Sequence, residues 1–244
     1  MIDGKTIVAV ILARAGSKGL PNKCVVPVLG KPMIAYTFEH AKGAKTLDGI
    51  VLTTDSLEAA ALAGQYGVEV VDRPAHLATD KARVDESVRH AVLQYEARHA
   101  CRTGAAVILY GNIPVRAPGA IDRAAEHLVR CGGDSVRSVA PVGKMHPDWM
   151  HKLDGDKMIQ YQPNSIHRRQ DLEPVYYHDG AVIAVTREAL FDASTAGSDP
   201  HAFFGKDRRA IVQGPHDAVD IDEPLDVLVA EAVLRHGMGP RPAP

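Results

Sequence analysis

The sequence predicts an α/β protein: a three-layer α/β/α sandwich on a mainly parallel sheet, with one inserted arm. Three observations carry this expectation. Short runs rich in Val, Ile and Ala alternate with segments of helical period along most of the chain. The run Ala105-Ala106-Val107-Ile108-Leu109-Tyr110 is apolar at nearly every position, as in a strand covered on both faces, which points to a parallel sheet. The rhythm then breaks once, from Pro141 to about Asp179, where prolines and polar residues replace it.

Each element follows from local chemistry. The apolar run Thr6-Ile7-Val8-Ala9-Val10-Ile11-Leu12 reads as a strand, and residues 32–42 as a helix. Gly49-Ile50-Val51-Leu52-Thr53-Thr54-Asp55 is a second strand ending in turn chemistry, after which Ser56 is placed to cap a helix over 57–66. Gly67 ends that helix before the short strand Val68-Glu69-Val70-Val71. Val84, Val88, Ala91, Val92 and Tyr95 recur at helical spacing ahead of the strand at 105–110. A helix over 118–131 and a strand over 135–140 lead into the arm, 141–179, which holds Pro147, Pro163, Pro174 and the sole tryptophan, Trp149. The chain returns with the strand Gly180-Ala181-Val182-Ile183-Ala184-Val185, a short helix near Arg187 and a strand over 209–213. A last helix has an expected buried stripe of Leu225, Leu228, Val229, Ala232 and Val233. Residues 239–244 are expected to be a flexible tail, so the main domain spans 1–140 and 180–238. Loops at the carboxyl ends of the strands should hold the ligand.

Composition excludes several functions. Twenty-eight basic and 30 acidic residues give a formal net charge of -2, so no global positive field draws the chain to nucleic acid or an anionic membrane. Cys24, Cys101 and Cys131 lie far apart with no C-x-x-C pair, which argues against a zinc site or a disulfide framework and for a reducing, cytoplasmic setting. The apolar start is too short for a membrane span and lacks a signal-peptide cleavage pattern, so a soluble, unprocessed chain is expected. The histidines show no H-E-x-x-H spacing, and Ser17 and Ser87 sit in no nucleophile elbow.

Two motifs carry chemistry. The loop Ala13-Arg14-Ala15-Gly16-Ser17-Lys18-Gly19-Leu20-Pro21-Asn22-Lys23 follows the first strand. The backbone N–H groups it exposes, around Ala15, Gly16 and Ser17, and the charges of Arg14, Lys18 and Lys23 suit a polyphosphate, although a solvated surface turn has the same composition. The loop matches neither G-x-x-x-x-G-K-[ST] nor G-x-G-x-x-G, which disfavours P-loop hydrolysis and dinucleotide binding. Near the other end, Asp220 and Asp222 leave one face of an extended segment and can converge on one Mg²⁺. Asp222 could equally cap the last helix, with Pro224 near its first turn.

Together these motifs resemble the cytidylyltransferases that activate sialic acids and related nine-carbon 2-keto acids, whose opening loop reads L-A-R-x-x-S-K-G-L-P-x-K. The likeness continues through G-K-P-M-I-A-Y-T at 30–37, V-L-T-T-D-S at 51–56, R-P-A-H-L-A-T-D at 73–80, R-Q-D at 169–171, D-G-A at 179–181 and D-I-D at 220–222. It implies a Rossmann-like nucleotidyltransferase fold. It also implies transfer of CMP from CTP to the anomeric hydroxyl of the sugar acid, release of pyrophosphate, dependence on Mg²⁺ (or Mn²⁺), and a homodimer joined through the arm. By matched position, Lys23 lies nearest the α-phosphate and Arg14 and Lys18 meet the β- and γ-phosphates, while Arg73 and Asp80 face the nucleotide and Asp220 and Asp222 hold metal. Tyr110, Asn112 and Arg116 fall on the sugar side. So do the arm's Arg168, Arg169 and Gln170, where the planar fork of arginine suits a carboxylate and the arm reaches the partner's site. For Arg73 and Arg116 a structural ion pair is a comparable reading, and the arm cations could instead be solvated or interfacial.

The chain also departs from that pattern. L-Y-G-N-I-P-V-R at 109–116 stands where sialate-activating relatives read L-Q-P-T-S-P-L-R and Kdo-activating ones V-Q-G-D-E-P-L. Lys81-Ala82-Arg83-Val84 replaces a small polar stretch, and Cys24 stands in place of an asparagine. Phosphate-handling residues persist while the rim differs, which implies retained chemistry with a change in the sugar first and the base second. The alternatives are a Kdo-type 3-deoxy-2-ulosonic acid as acceptor, or a non-catalytic nucleotide-sugar-binding relative.

Overall fold

The computed structural model describes residues 2–16, 23–192 and 199–237. In chain order its elements are β1 (Ile7–Leu12), β2 (Pro27–Val28), β3 (Lys31–Pro32), α1 (Met33–Gly43), β4 (Gly49–Thr54), α2 (Leu57–Gln65), β5 (Glu69–Asp72), α3 (Val84–His99), β6 (Ala105–Tyr110), β7 (Val115–Arg116), α4 (Ala120–Cys131) and β8 (Ser135–Pro141). The arm carries a hairpin, β9 (His151–Asp154) and β10 (Lys157–Gln160). Then follow β11 (Tyr176–Thr186), α5 (Arg187–Phe191), β12 (Arg208–Val212), β13 (Ala218–Val219) and α6 (Pro224–His236).

Seven strands form one sheet in the order β12-β8-β11-β6-β1-β4-β5. Neighbours are parallel except at β11, which runs antiparallel to both β6 and β8. Strand β1 is buried at every position, and its alternate side chains feed two cores. Ile7, Ala9 and Ile11 pack with Ile34 and Phe38 of α1 and Leu128 of α4. Val8 and Val10 pack with Val88 and Val92 of α3, and the same cluster takes in Leu190, Phe203 and Phe204. This is the three-layer sandwich, and its continuous apolar strands are explained by cover on both faces.

Local signals set several boundaries. Ser56 caps α2 by accepting from the Ala59 N–H at 3.2 Å, and Gly67 follows with a φ of 64°. At the end of β6 the Gly111 N–H donates to Leu12 O at 3.0 Å, and a Cβ there would lie 3.1 Å from that oxygen and 3.3 Å from Ile34 Cδ1. A side chain would therefore push the strand end away from β1, which is why glycine stands there.

The structure differs from the sequence expectations in three places. Strand β11 begins at Tyr176, inside the expected arm, because Tyr176, Tyr177 and His178 pair with Pro141, Ala140 and Val139 and zip the arm's base onto the sheet. The register then shifts before Ile183, where Gly180 takes a φ of 74° and Asp179 turns inward to accept from Ser138 Oγ, Ala181 N–H and Gln213 Nε2. The expected stripe of α6 is rotated: Leu225, Leu228 and Val229 are 62%, 63% and 42% exposed, while Ala230 is buried with Val227, Val233 and Leu234 packed around it. Both stripes have helical spacing, and the small Ala230 is the one that lets the helix approach β2 and β7 closely. Finally, Glu223, not Asp222, is the N-cap of α6, in a capping box with Asp226. The expected tail, 239–244, lies outside the described residues. Among those described, no helix is long and apolar enough to cross a membrane.

Candidate active site

The carboxyl ends of β1, β5 and β6 open onto a cleft of about 280 Å³. Arg14 and Lys23 line it from the first loop, Arg73 from the end of β5, Tyr110 and Asn112 from the end of β6, and Thr79 to Ser87 from the approach to α3. Parallel strands that end on one edge release their loops to a common side, which is how residues distant in sequence meet here.

Three donors of the first loop meet acids. Arg14 Nη1 lies 2.6 Å from Asp80 Oδ1, the Ala15 N–H donates to Asp55 Oδ1 at 2.8 Å, and Lys23 Nζ lies 2.7 Å from Asp222 Oδ1. Lys23 opens a single 3₁₀ turn, and its side chain is only 17% exposed while that of Asp222 is 75% exposed. Lys23 is therefore fixed beneath a solvent-exposed carboxylate. Gly16 also lines the cleft. Ser17 and Lys18 lie outside the described residues.

Asp220 and Asp222 do not line the cleft but are joined to two residues that do, Asn112 and Lys23, among charges of both signs. Asn112 donates its side-chain amide to Asp220 Oδ1 and to Ile221 O, and the Ile221 N–H returns a bond to Asn112 O at 3.0 Å, so the segment after β6 is strapped to the D-x-D segment. Desolvation, ahead of repulsion from Asp222, pushes the Asp220 carboxyl up to about 6. A cation relieves that penalty. Among the described residues no group of three or more His, Cys, Asp or Glu side chains converges as a metal cage. Two carboxylates fit Mg²⁺ in particular, which is bound by one or two protein carboxylates with substrate phosphates and water completing its shell.

Other residues have settled surroundings. Arg73 is buried and donates to Thr53 O at 2.8 Å, so it forms cleft wall and strand anchor together. Cys24 is buried in the same wall, where loss of solvent pushes its thiol up to about 11 and keeps it protonated. Tyr110 lines the cleft with its hydroxyl pushed up by burial and then by Asp220. Arg116 corrects an expectation. It is 4% exposed and donates to Ala181 O, Ile113 O, Tyr110 O and Thr37 Oγ1 at 2.8, 2.6, 2.7 and 2.9 Å, so its donors are engaged in tying α1, β6 and β11 together, away from any substrate. Arg168, Arg169 and Gln170 are exposed on the arm and do not line this chain's cleft; Arg168 forms a bidentate pair with Asp171 at 2.6 and 2.9 Å.

A family model described as "Cytidylyltransferase" matches residues 8–178. The chain belongs to that family. Its relatives include "Post-translational flagellin modification protein B" of Campylobacter coli, 28% identical over 94% of this chain and 95% of that one. They also include "CMP-N,N'-diacetyllegionaminic acid synthase" of Legionella pneumophila, 30% identical over 93% of this chain and 96% of that one. "N-acylneuraminate cytidylyltransferase" of Escherichia coli is 27% identical over 92% of this chain, which spans only 51% of that longer protein. Among solved structures, a CMP:2-keto-3-deoxy-manno-octonic acid synthetase complexed with CTP shares the fold, with a TM-score of 0.72 at 16% identity over 96% of this chain and 100% of that one.

In this cytidylyltransferase two parts of the site escaped the sequence reading. Asp55, the acid that meets the Ala15 N–H, is the aspartate of V-L-T-T-D-S, and an acid at a strand's carboxyl end was the signal for it. Ser87, which lines the cleft from α3 beyond the R-P-A-H-L-A-T-D stretch, belonged to no motif.

Proposed function

We propose that this cytidylyltransferase transfers CMP from CTP to the anomeric hydroxyl of a sialic-acid-like nine-carbon 2-keto acid, releasing pyrophosphate, as a homodimer using Mg²⁺ (or Mn²⁺). The observation that carries this reading is the 2.7 Å contact between Lys23 and Asp222, which joins the loop cation to the D-x-D segment at one point. In-line displacement at the α-phosphorus needs just such a convergence, because positioning and charge neutralisation do most of the work.

Phosphate oxygens take over the places that carboxylates hold beside Arg14, the Ala15 N–H and Lys23. Lys23 then sits nearest the α-phosphate, with Arg14 and Lys18 toward the β- and γ-phosphates. Asp220 and Asp222 are the residues that would hold the cation, which neutralises phosphate charge and orients the phosphorus for attack. The incoming hydroxyl oxygen bonds to the α-phosphorus as the bond to the β-phosphate oxygen breaks, and pyrophosphate leaves.

The acceptor reading rests on the names of near-full-length relatives, one of them a CMP-N,N'-diacetyllegionaminic acid synthase. The dimer reading rests on the arm. Its hairpin is exposed at every residue, with Leu153 and Met158 at 71% and 64%, and an isolated two-stranded hairpin is marginal without a surface to pack on.

Purified protein with CTP, Mg²⁺ and a panel of nonulosonic acids plus Kdo tests this. Pyrophosphate release with a nine-carbon acid is expected. Preference for Kdo would move the acceptor to the eight-carbon class, and CTP binding with no pyrophosphate for any acid would leave a non-catalytic relative.

A further inference from the structure

Arg137 lies outside the phosphate machinery but on the same sheet face as Tyr110. Ile183 pairs with Ile108 on one side and with Arg137 on the other, and Tyr110 follows Ile108 on that face, so Tyr110 and Arg137 are diagonal neighbours across β11. Arg137 is half-buried. Its guanidinium stacks on the buried ring of Phe204, with Cζ 4.5 Å from the centroid, and Arg208 reaches the same ring at 5.9 Å.

No acid answers these two cations. Among the described residues the Arg137 side chain makes neither a hydrogen bond nor an ion pair, and the Arg208 side chain donates to Gly205 O at 2.8 Å. Loss of solvent and then the charge of Arg208 both disfavour the charged form of Arg137. The half-buried guanidinium keeps solvent contact and has no protein partner to give up, so an anion can take its donors directly, and partial burial strengthens that contact. The planar fork sets the shape of that anion: a carboxylate met bidentately. The location fits, because Tyr110, which lines the cleft, lies within electrostatic reach of both Asp220 and Arg137. In a 2-keto sugar acid one carbon bears both the reacting hydroxyl and the carboxylate.

We propose that Arg137, backed by Arg208 across Phe204, receives the carboxylate of the acceptor beside Tyr110. This deepens the acceptor reading above and rests on it. It assigns the carboxylate to the chain that carries Lys23, in place of the arm's Arg168 or Arg169.

The test uses the CTP-loaded enzyme and N,N'-diacetyllegionaminic and N-acetylneuraminic acids, each as free acid and methyl ester, read by pyrophosphate release and by calorimetry. Arg137→Met is expected to raise KM for the acid about 10- to 100-fold, as loss of a charge-assisted bidentate contact would. KM for CTP and Tm should stay at wild-type values. Wild type should prefer acid to ester, Arg137→Met should bring the two level, and Arg137→Lys should recover part of the preference. Arg137→Lys also carries the comparison should the methionine variant fail to fold. If the Arg137 variants keep the full preference, or if Arg169→Met abolishes it instead, the assignment is wrong and the acceptor reading stands. If wild type neither binds nor turns over any of the acids, the acceptor reading falls and this assignment falls with it.

Discussion

Four cations that look alike in sequence have separate fates. Lys23 and Arg14 keep their charged ends where an anion can reach them, Arg73 serves as wall and anchor, and Arg116 is enclosed. Whether an arginine meets a ligand or its own backbone depends on long-range packing: Arg116 is satisfied by Ala181 O, 65 residues away, and no local pattern encodes that. Arg116→Met should leave three carbonyls without their donor and lower stability by about 3 kcal/mol, a Tm drop of roughly 6–12 °C in a scan of the intact protein. Lys23→Ala should act oppositely, lowering kcat by about 100-fold or more at unchanged Tm, because charge on the transition state loses its partner. Near-normal turnover would remove Lys23 from its assigned place. Asp222→Asn should raise the Mg²⁺ concentration needed for half-maximal rate with little change in Tm, since Glu223 supplies the helix cap.

Strands β1, β4 and β6 and helices α1, α2 and α3 were legible from apolar runs and caps, because their pairing is local in rhythm and their signals are redundant. What escaped was decided by partners far along the chain. The start of β11 depends on β8, and the orientation of α6 depends on which of two helical stripes fits against β2 and β7. That orientation predicts a contrast: Ala230→Leu should cost about 1–3 kcal/mol by overpacking, whereas Leu228→Gln should stay within about 0.5 kcal/mol. Thermal unfolding of the two variants measures it. Helix α3 is tied to α5 by Arg187 and Glu96, with N–O distances of 2.8 and 3.0 Å. The Arg187 guanidinium, with help from Thr103, holds the Glu96 carboxyl down to about 2 from 4.5. A depressed folded-state value stabilises fully above pH 4.5 and is lost as pH falls toward 2. After allowance for screening, wild type should lose on the order of 1–2 kcal/mol more than Glu96→Gln across that window in acid unfolding.

At the scale of the whole molecule, the parallel strands of the sheet release their loops to one edge, and the returning chain from β13 brings Asp220 and Asp222 to the first loop. The loop motif and the acidic pair were each readable alone, and their meeting was implied only by resemblance, since Lys23 and Asp222, whose ion pair joins them, are 199 residues apart. The exposed arm predicts self-association: sedimentation should give a dimer, and Leu153→Glu with Met158→Glu should shift it toward monomer. The reaction itself is tested most directly by isotope position. With CTP labelled at the α-phosphate, the protein should place the label in a CMP-sugar when a nine-carbon 2-keto acid is present, and with CTP labelled at the γ-phosphate the label should appear in pyrophosphate. Label from the γ-phosphate appearing as orthophosphate, or α-label that never leaves CTP, would contradict cytidylyl transfer.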